Sequence, residues 1–266
     1  MILLIMTYLI VGAIVGLLAG LLGVGGGLVI VPMLVFCFTW QNLPQESLMH
    51  LAIGTSAASI VFTSVSSFWA HHKHGAVDWA IVRRIVLGIL AGTMVGTFLA
   101  SRMTTFALKG FFAVFICFVA LQMLLDRKPP PARQIPGWWG MSTFGAGVGL
   151  ISSLAGIGGG IMSVPFLLWC NQPMHRAIGT SAAIGFPIAV FTSLGYILYG
   201  LSADALPAYA VGYVYVPALA CIVSASVLTA PLGAGLAHRL PVRRLKQAFA
   251  VLLIVVGVRL LMNVLQ

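Results

Sequence analysis

The segment Gly23-Val-Gly-Gly-Gly-Leu-Val-Ile-Val-Pro32 occurs twice in this chain and returns 133 positions later as Gly156-Ile-Gly-Gly-Gly-Ile-Met-Ser-Val-Pro165. A second segment, Met49-His-Leu-Ala-Ile-Gly-Thr-Ser-Ala-Ala58, returns 125 positions later as Met174-His-Arg-Ala-Ile-Gly-Thr-Ser-Ala-Ala183. The chain is therefore a duplicated unit with both patterns in the same order. Apolar segments that glycines interrupt at corresponding places in two halves are typical of transporters and indicate where the binding site lies.

The composition predicts an all-α integral membrane protein. Of its 266 residues, 61% are hydrophobic and 7% are charged, which excludes an ordinary soluble domain. The four cysteines, Cys37, Cys117, Cys170 and Cys221, lie inside apolar runs, where small buried side chains are common and a disulfide framework is not. We therefore expect a protein that crosses the bilayer several times.

The apolar runs divide the chain into repeat one at 1–126, a polar linker at 127–136 and repeat two at 137–266. Each repeat contains four apolar segments, the first of which the glycines interrupt. The predicted segments lie near 3–38, 50–70, 83–101 and 107–125, and near 138–170, 177–199, 211–237 and 246–265. The pieces after the glycines, 28–38 and 161–170, are too short to cross a core of ~30 Å and are predicted to be half-helices.

The basic residues predict the orientation. If each interrupted segment is a re-entrant hairpin, eleven of the 14 Lys and Arg residues lie on the same side of the membrane as the linker. By the positive-inside rule, that side is cytoplasmic. The loops at 39–49 and 200–210 on the opposite side carry no Lys or Arg. Each repeat then crosses the membrane an odd number of times. The repeats therefore have inverted topology, and both termini are predicted to be extracytoplasmic.

The glycines themselves point to an anion. Three consecutive glycines in an apolar run cost helix stability, about 1 kcal/mol each relative to alanine, so they need a physical reason. A break followed by a half-helix directs unpaired N–H groups and a positive dipole end into the membrane interior, which suits a negative ligand. The predicted binding residues are Gly25, Gly26, Gly27, Gly158, Gly159 and Gly160. The alternative is that these glycines only permit close helix packing.

Hydroxyls and histidines of the second motif extend the candidate site. Thr55, Ser56, Thr180 and Ser181 can donate hydrogen bonds to an oxyanion without bringing a charge into the membrane. The alternative is that they bond back to their own helix carbonyls. His50 and His175 begin the same segments and are candidates for gating or for the substrate path, or else for a plain interfacial position.

The remaining reactive side chains suggest neither a metal site nor catalysis. The cluster of His71, His72 and His74 is expected to be a solvated cytoplasmic loop, and the equivalent Cys37 and Cys170 are expected to be buried thiols. The four acids, Glu46, Asp78, Asp126 and Asp204, lie at loops or helix edges and form no catalytic pair. We therefore expect no cofactor, no metal and no enzymatic activity. The net charge of +10 belongs mostly to the cytoplasmic rim and needs no nucleic-acid partner.

The paired Gly-x-Gly-Gly-Gly-x-x-x-x-Pro and Gly-Thr-Ser motifs resemble those of the TauE/SafE sulfite exporter family, also called the TSUP transporters. The resemblance covers essentially the whole chain. It implies a permease of the bacterial inner membrane with duplicated four-segment halves. Its partners would be the lipid bilayer and a small anion such as sulfite or sulfoacetate, and a homo-oligomer is compatible with it.

The motifs predict secondary transport of an anion by alternating access around a site at the membrane midplane, and the resemblance implies export of a small sulfur-containing anion. The alternatives are an anion channel and a membrane-embedded thiol-relay protein or enzyme. No apolar segment carries a carboxylate for ion coupling, yet the membrane potential alone can drive anions outward, by about 2.3 kcal/mol per charge and 100 mV.

Overall fold

The computed structural model describes residues 2–22, 26–125, 134–203, 206–237, 250–251, 253–260 and 262. These residues are almost entirely helical. The helices are α1 Ile2–Leu22, α2 Gly27–Trp40, α3 Leu48–Lys73, α4 Trp79–Arg102, α5 Thr105–Leu125, α6 Trp138–Ala155, α7 Gly160–Trp169, α8 Met174–Gly200 and α9 Val216–Ala237. Residues 250–251 and 253–260 are also helical. The charged part of the predicted linker, 127–133, lies outside the described residues.

Six of the described helices, α1, α3, α4, α5, α8 and α9, are long and apolar enough to cross a membrane. Large apolar side chains such as Leu87, Phe118 and Leu228 are exposed on their outer faces, as lipid contact requires. The prediction of a polytopic helical membrane protein is confirmed.

One predicted boundary is wrong. The segment predicted at 211–237 begins its helix at Val216, after a two-stranded hairpin of β1 Ala210–Val211 and β2 Val214–Tyr215. Gly212, in the turn, has a φ of 55°, in the left-handed region that a continuing helix does not use. The apolar composition of the hairpin hides this turn from a hydropathy argument.

Both glycine segments interrupt the helices as predicted. Gly26 caps the start of α2 with a φ of 79°, and Gly159 caps the start of α7 with a φ of 73°. Gly156, with a φ of 65°, ends α6. Glycine adopts this left-handed backbone without steric cost, whereas other residues are strained there. The short helices α2 and α7 follow the breaks.

The helices on the two sides of the first break, α1 and α2, pack against each other. A Cβ built on Gly26 would overlap Val15 of α1, and at the other end of α2 Gln41 Nε2 donates to Tyr8 Oη at 2.6 Å. Later residues of α2 thus lie beside earlier residues of α1. The two helices are therefore antiparallel.

The two halves interlock through glycine faces. Helix α1 packs along α9 and helix α6 packs along α4, while α3 and α8 pack against each other. A Cβ would collide with the partner helix at one glycine after another, at Gly12, Gly16 and Gly20 on α1 and at Gly88, Gly92 and Gly96 on α4. Such stripes let helix backbones approach closely where lipid provides no hydrophobic driving force for association.

Candidate functional site

The two glycine breaks lie against each other in the protein interior. A Cβ built on Gly27 would overlap the carbonyl oxygen of Gly156 and would lie 2.8 Å from Ile157 Cα. A Cβ on Gly185 of α8 would lie 2.9 Å from the carbonyl oxygen of Gly158. These glycines are all buried. The backbones of the two breaks therefore meet where any side chain would force them apart.

Each break is followed by a helix N-terminus. In α2 the first helical hydrogen bond runs from the Val29 N–H to the carbonyl of Gly26 at 3.0 Å, and in α7 from the Met162 N–H to that of Gly159 at 3.2 Å. The N–H groups that precede them point out of the helix end and carry its positive partial charge. Gly26 and Gly27 thus lie at the start of α2, and Gly158, Gly159 and Gly160 lie at the start of α7, while Gly25 lies outside the described residues.

The glycine of each Gly-Thr-Ser motif is in close contact with a loop from the other half. A Cβ on Gly54 would overlap the carbonyl oxygen of Tyr213, in the hairpin before α9. A Cβ on Gly179 would overlap the carbonyl oxygen of Ala76, in the loop before α4. The motif glycines therefore allow a close backbone approach between the halves.

The threonine of each motif binds the same loop two residues further along. Thr55 Oγ1 accepts a hydrogen bond from the Tyr215 N–H at 2.9 Å, and Thr180 Oγ1 accepts one from the Asp78 N–H at 2.9 Å. Both donors lie immediately before a helix, α9 or α4. The threonine hydroxyls therefore contact the opposite half through helix starts.

The serine of the first motif contacts the second glycine break directly. Ser56 Oγ donates to the carbonyl oxygen of Gly156 at 2.8 Å, and both residues are buried. In this structure the Ser56 hydroxyl proton is therefore engaged in a hydrogen bond to the second glycine break. Ser181, at the equivalent position, is also buried.

Three hydroxyls that the sequence interpretation missed lie near the second break. Ser152 on α6, Ser163 on α7 and Thr192 on α8 are buried, and their oxygens have no hydrogen-bond partner among the described residues. A comparison of the repeats carries a signal for two of them, since the positions 133 residues earlier are Ala19 and Ile30.

The two candidate histidines lie in different environments. His50 is buried, its Nε2 donates to the Ala100 carbonyl at 3.0 Å, and its ring centroid lies 5.0 Å from that of Tyr213. His175 is exposed at the start of α8. A small pocket adjoins His50. It is lined by His50, Thr97, Ser101, Tyr196, Tyr199 and Tyr213. Burial raises the pKa of the Tyr213 phenol, so this hydroxyl remains protonated and neutral.

The histidine cluster is only partly the solvated loop expected from the sequence. His71 is buried in the last turn of α3 and donates from Nε2 to the carbonyl of Gly20 at 3.0 Å. At the matching place in the second half, Tyr196 Oη donates to the carbonyl of Ser153 at 3.2 Å. Each bond ties a long helix to the end of the helix that precedes a break, a role the sequence did not indicate. His72 and His74 are exposed.

The thiols are placed as expected. Cys37 and Cys170 are buried, and none of the four cysteines forms a disulfide bond in the described structure. In the described part of the chain, no three His, Cys, Asp or Glu side chains come close enough to share a metal ion.

Comparison with known proteins matches residues 8–260 to the model of the sulfite exporter TauE/SafE family. A probable membrane transporter protein of Haemophilus influenzae is 36% identical over 267 residues, which cover 97% of this chain and 98% of that protein. Probable membrane transporter proteins of Methanocaldococcus jannaschii and Bacillus subtilis are each 27% identical, over 96% and 95% of this chain and 94% and 95% of their own length. No solved structure gives a significant match.

The family and these relatives are membrane transporters and not enzymes, which confirms the class expected from the motifs. The family model covers nearly the whole chain, both glycine breaks included. The chain therefore belongs to the sulfite exporter TauE/SafE family.

Proposed function

We propose that this membrane transporter exports a small sulfur-containing anion, such as sulfite or an organosulfonate, through the bacterial inner membrane. The observation that carries the proposal is the contact of the two buried breaks, Gly27 against Gly156. A helix N-terminus bears about half a positive charge, so two of them can hold an anion without a cationic side chain. Because these helix ends carry no full charge, the bound anion can also dissociate.

The transport route in this proposal rests on inverted repeats. The antiparallel contact of α1 with α2, from Gly26 at Val15 to Gln41 at Tyr8, supports a re-entrant hairpin. The loop that follows α8 contacts the start of α3. Likewise, the loop that follows α3 contacts the start of α8, so α3 and α8 run in opposite directions. This antiparallel pair supports opposite orientations of the two halves. With basic loops in the cytoplasm, both termini are extracytoplasmic.

Alternating access then means that the two halves rock around the breaks. In this mechanism Gly25, Gly26, Gly27, Gly158, Gly159 and Gly160 border the anion. Thr55, Ser56, Thr180 and Ser181 form the surrounding layer that joins the halves, with Ser56 holding the Gly156 carbonyl. The pocket at His50 lies on the extracytoplasmic route, and His175 lies at the cytoplasmic mouth.

The test is flux of labelled sulfite, sulfoacetate, thiosulfate and sulfate in liposomes that contain the purified protein. We expect saturable transport of at least one sulfur anion. Its movement out of the inside-negative compartment should accelerate with the imposed potential, because each negative charge gains about 2.3 kcal/mol per 100 mV. Collapse of the pH gradient at fixed potential should leave the rate unchanged. Flux that never saturates would indicate a channel, and the absence of flux for all four anions would refute the proposal.

A further inference from the structure

Three buried hydroxyls lack the hydrogen bond that a helical Ser or Thr ordinarily makes. Elsewhere in this chain Thr93 and Thr97 donate to the carbonyl four residues earlier, both at 2.8 Å. Ser152, Ser163 and Thr192 are at most 1% exposed and make no such bond among the described residues. A buried hydroxyl without a partner is costly, so three of them near one break indicate that they serve a ligand.

All three belong to helices that contact one another near the start of α7. A Cβ built on Gly159, the N-cap of α7, would lie 3.5 Å from Ser152 Oγ and would overlap Ile188 Cδ1. Thr192 follows Ile188 by one turn of α8 and shares its face. Ser163 belongs to the first turn of α7, where its N–H bonds to the Gly159 carbonyl at 3.0 Å. The three hydroxyls thus belong to the three helices α6, α7 and α8, with Ser152 nearest the N-cap and Thr192 one turn beyond the residue that contacts it.

The first half does not repeat this arrangement. Ser152 and Ser163 correspond to Ala19 and Ile30, which have no polar side-chain atom. Thr192 corresponds to Ser67, whose hydroxyl has a partner, the carbonyl of Ala19 at 3.5 Å. The glycine break is therefore duplicated, whereas the unpaired donors belong to the second half.

We propose that Ser152, Ser163 and Thr192 bind the transported anion, which lies at the N-terminus of α7, in the second half of the chain. This inference rests on the proposed function. Three hydroxyl donors and the α7 backbone N–H groups match a small oxyanion with three acceptor oxygens, such as a sulfite or sulfonate group. Because the donors are neutral, the emptied site carries no full charge when it reorients.

The experiment measures half-saturation for labelled sulfite and sulfoacetate in liposomes with the full chain. Ser152→Ala and Thr192→Val should each raise it about tenfold, since a hydrogen bond to a charged group contributes roughly 1.5–3 kcal/mol. The triple variant with Ser163→Ala should raise it further. Thr93→Val is the matched control, because it removes a buried hydroxyl that already has a partner, and its half-saturation should equal that of the wild type.

Thermal unfolding without substrate separates binding from a structural role. The variants at Ser152 and Thr192 should unfold at the same or a higher temperature than the wild type, because they remove unpaired polar atoms. Unchanged half-saturation in the triple variant, with a wild type that transports, would overturn this inference alone. Lower unfolding temperatures with unchanged half-saturation would do the same and assign the hydroxyls to packing. A wild type that transports no tested anion would overturn the proposed function as well.

Discussion

Single residues of the Gly-Thr-Ser motif each have a different task. Gly54 admits the carbonyl of Tyr213, Thr55 accepts the N–H of Tyr215, and Ser56 donates to Gly156. All three partners belong to the second half of the chain. The motif thus connects the two halves. Its contacts on the second half are all backbone groups, which do not depend on the side chains there.

Replacement of Thr55 by valine keeps the shape of the side chain and removes the acceptor for the Tyr215 N–H. We expect the free energy of unfolding to fall by about 1–3 kcal/mol, because a buried donor loses its partner. Thr180→Val should act similarly through the N–H of Asp78. The measurement is equilibrium unfolding of the purified protein in mixed detergent micelles.

The control for these variants is Thr7→Val. Thr7 Oγ1 donates to the carbonyl of Leu3 at 2.8 Å, so this hydrogen bond lies within α1. Its replacement should cost little. Equal stability losses for Thr7→Val and Thr55→Val would show that the hydroxyl of Thr55 does not contribute to the connection between the halves.

Among the helices, α4 and α6 show how glycine spacing sets a contact. A Cβ on Gly149 would lie 2.6 Å from the carbonyl oxygen of Ile89, whereas a Cβ on Gly147 of the same helix would meet nothing within 4 Å. Gly149→Ala should therefore destabilise the protein by about 1–3 kcal/mol through overpacking. Gly147→Ala should be neutral or stabilising by up to ~1 kcal/mol, because alanine favours the helix.

The same unfolding assay compares these two alanine variants. They differ by two positions on one helix and add the same methyl group, so helix propensity cancels between them. A Gly149→Ala protein as stable as Gly147→Ala would mean that α4 and α6 can separate without cost, contrary to the interlocked packing.

The breaks show how much of the helical architecture was predictable. Consecutive glycines disfavour a helix wherever they occur, so the ends of α1 and α6 and the short helices after them followed from local sequence. The hairpin at 210–215 did not follow from local sequence. Its residues are as apolar as those of a span, and the turn depends on the left-handed backbone at Gly212.

For the whole molecule, inverted repeats predict that equivalent loops face opposite sides of the membrane. Gln45 lies in the loop before α3, His175 lies at the start of the equivalent helix α8, and both are exposed. With Gln45→Cys, a membrane-impermeant maleimide should label intact cells. With His175→Cys, it should label only permeabilised cells, because that loop is cytoplasmic in the proposed topology.

The wild type is the background for this labelling experiment, since its Cys37 and Cys170 are buried and its partly exposed Cys117 and Cys221 lie within the apolar helices α5 and α9. Permeabilised cells should label both variants, which shows that each cysteine is reactive. Labelling of His175→Cys in intact cells at the rate of Gln45→Cys would place both loops outside and exclude the inverted arrangement.

Location in a membrane, duplication, helix breaks and family were all determined by the sequence alone, because each depends on composition or on spacing along the chain. The partners of the site residues were decided only by the tertiary structure. Thr55 and Tyr215 are 160 positions apart, and Ser56 and Gly156 are 100 apart, so no local pattern joins them. The tertiary structure likewise buries His50 but exposes His175, and it leaves the Ser152 hydroxyl without a hydrogen-bond partner among the described residues. The reason is that the two copies of a motif pack against different neighbours.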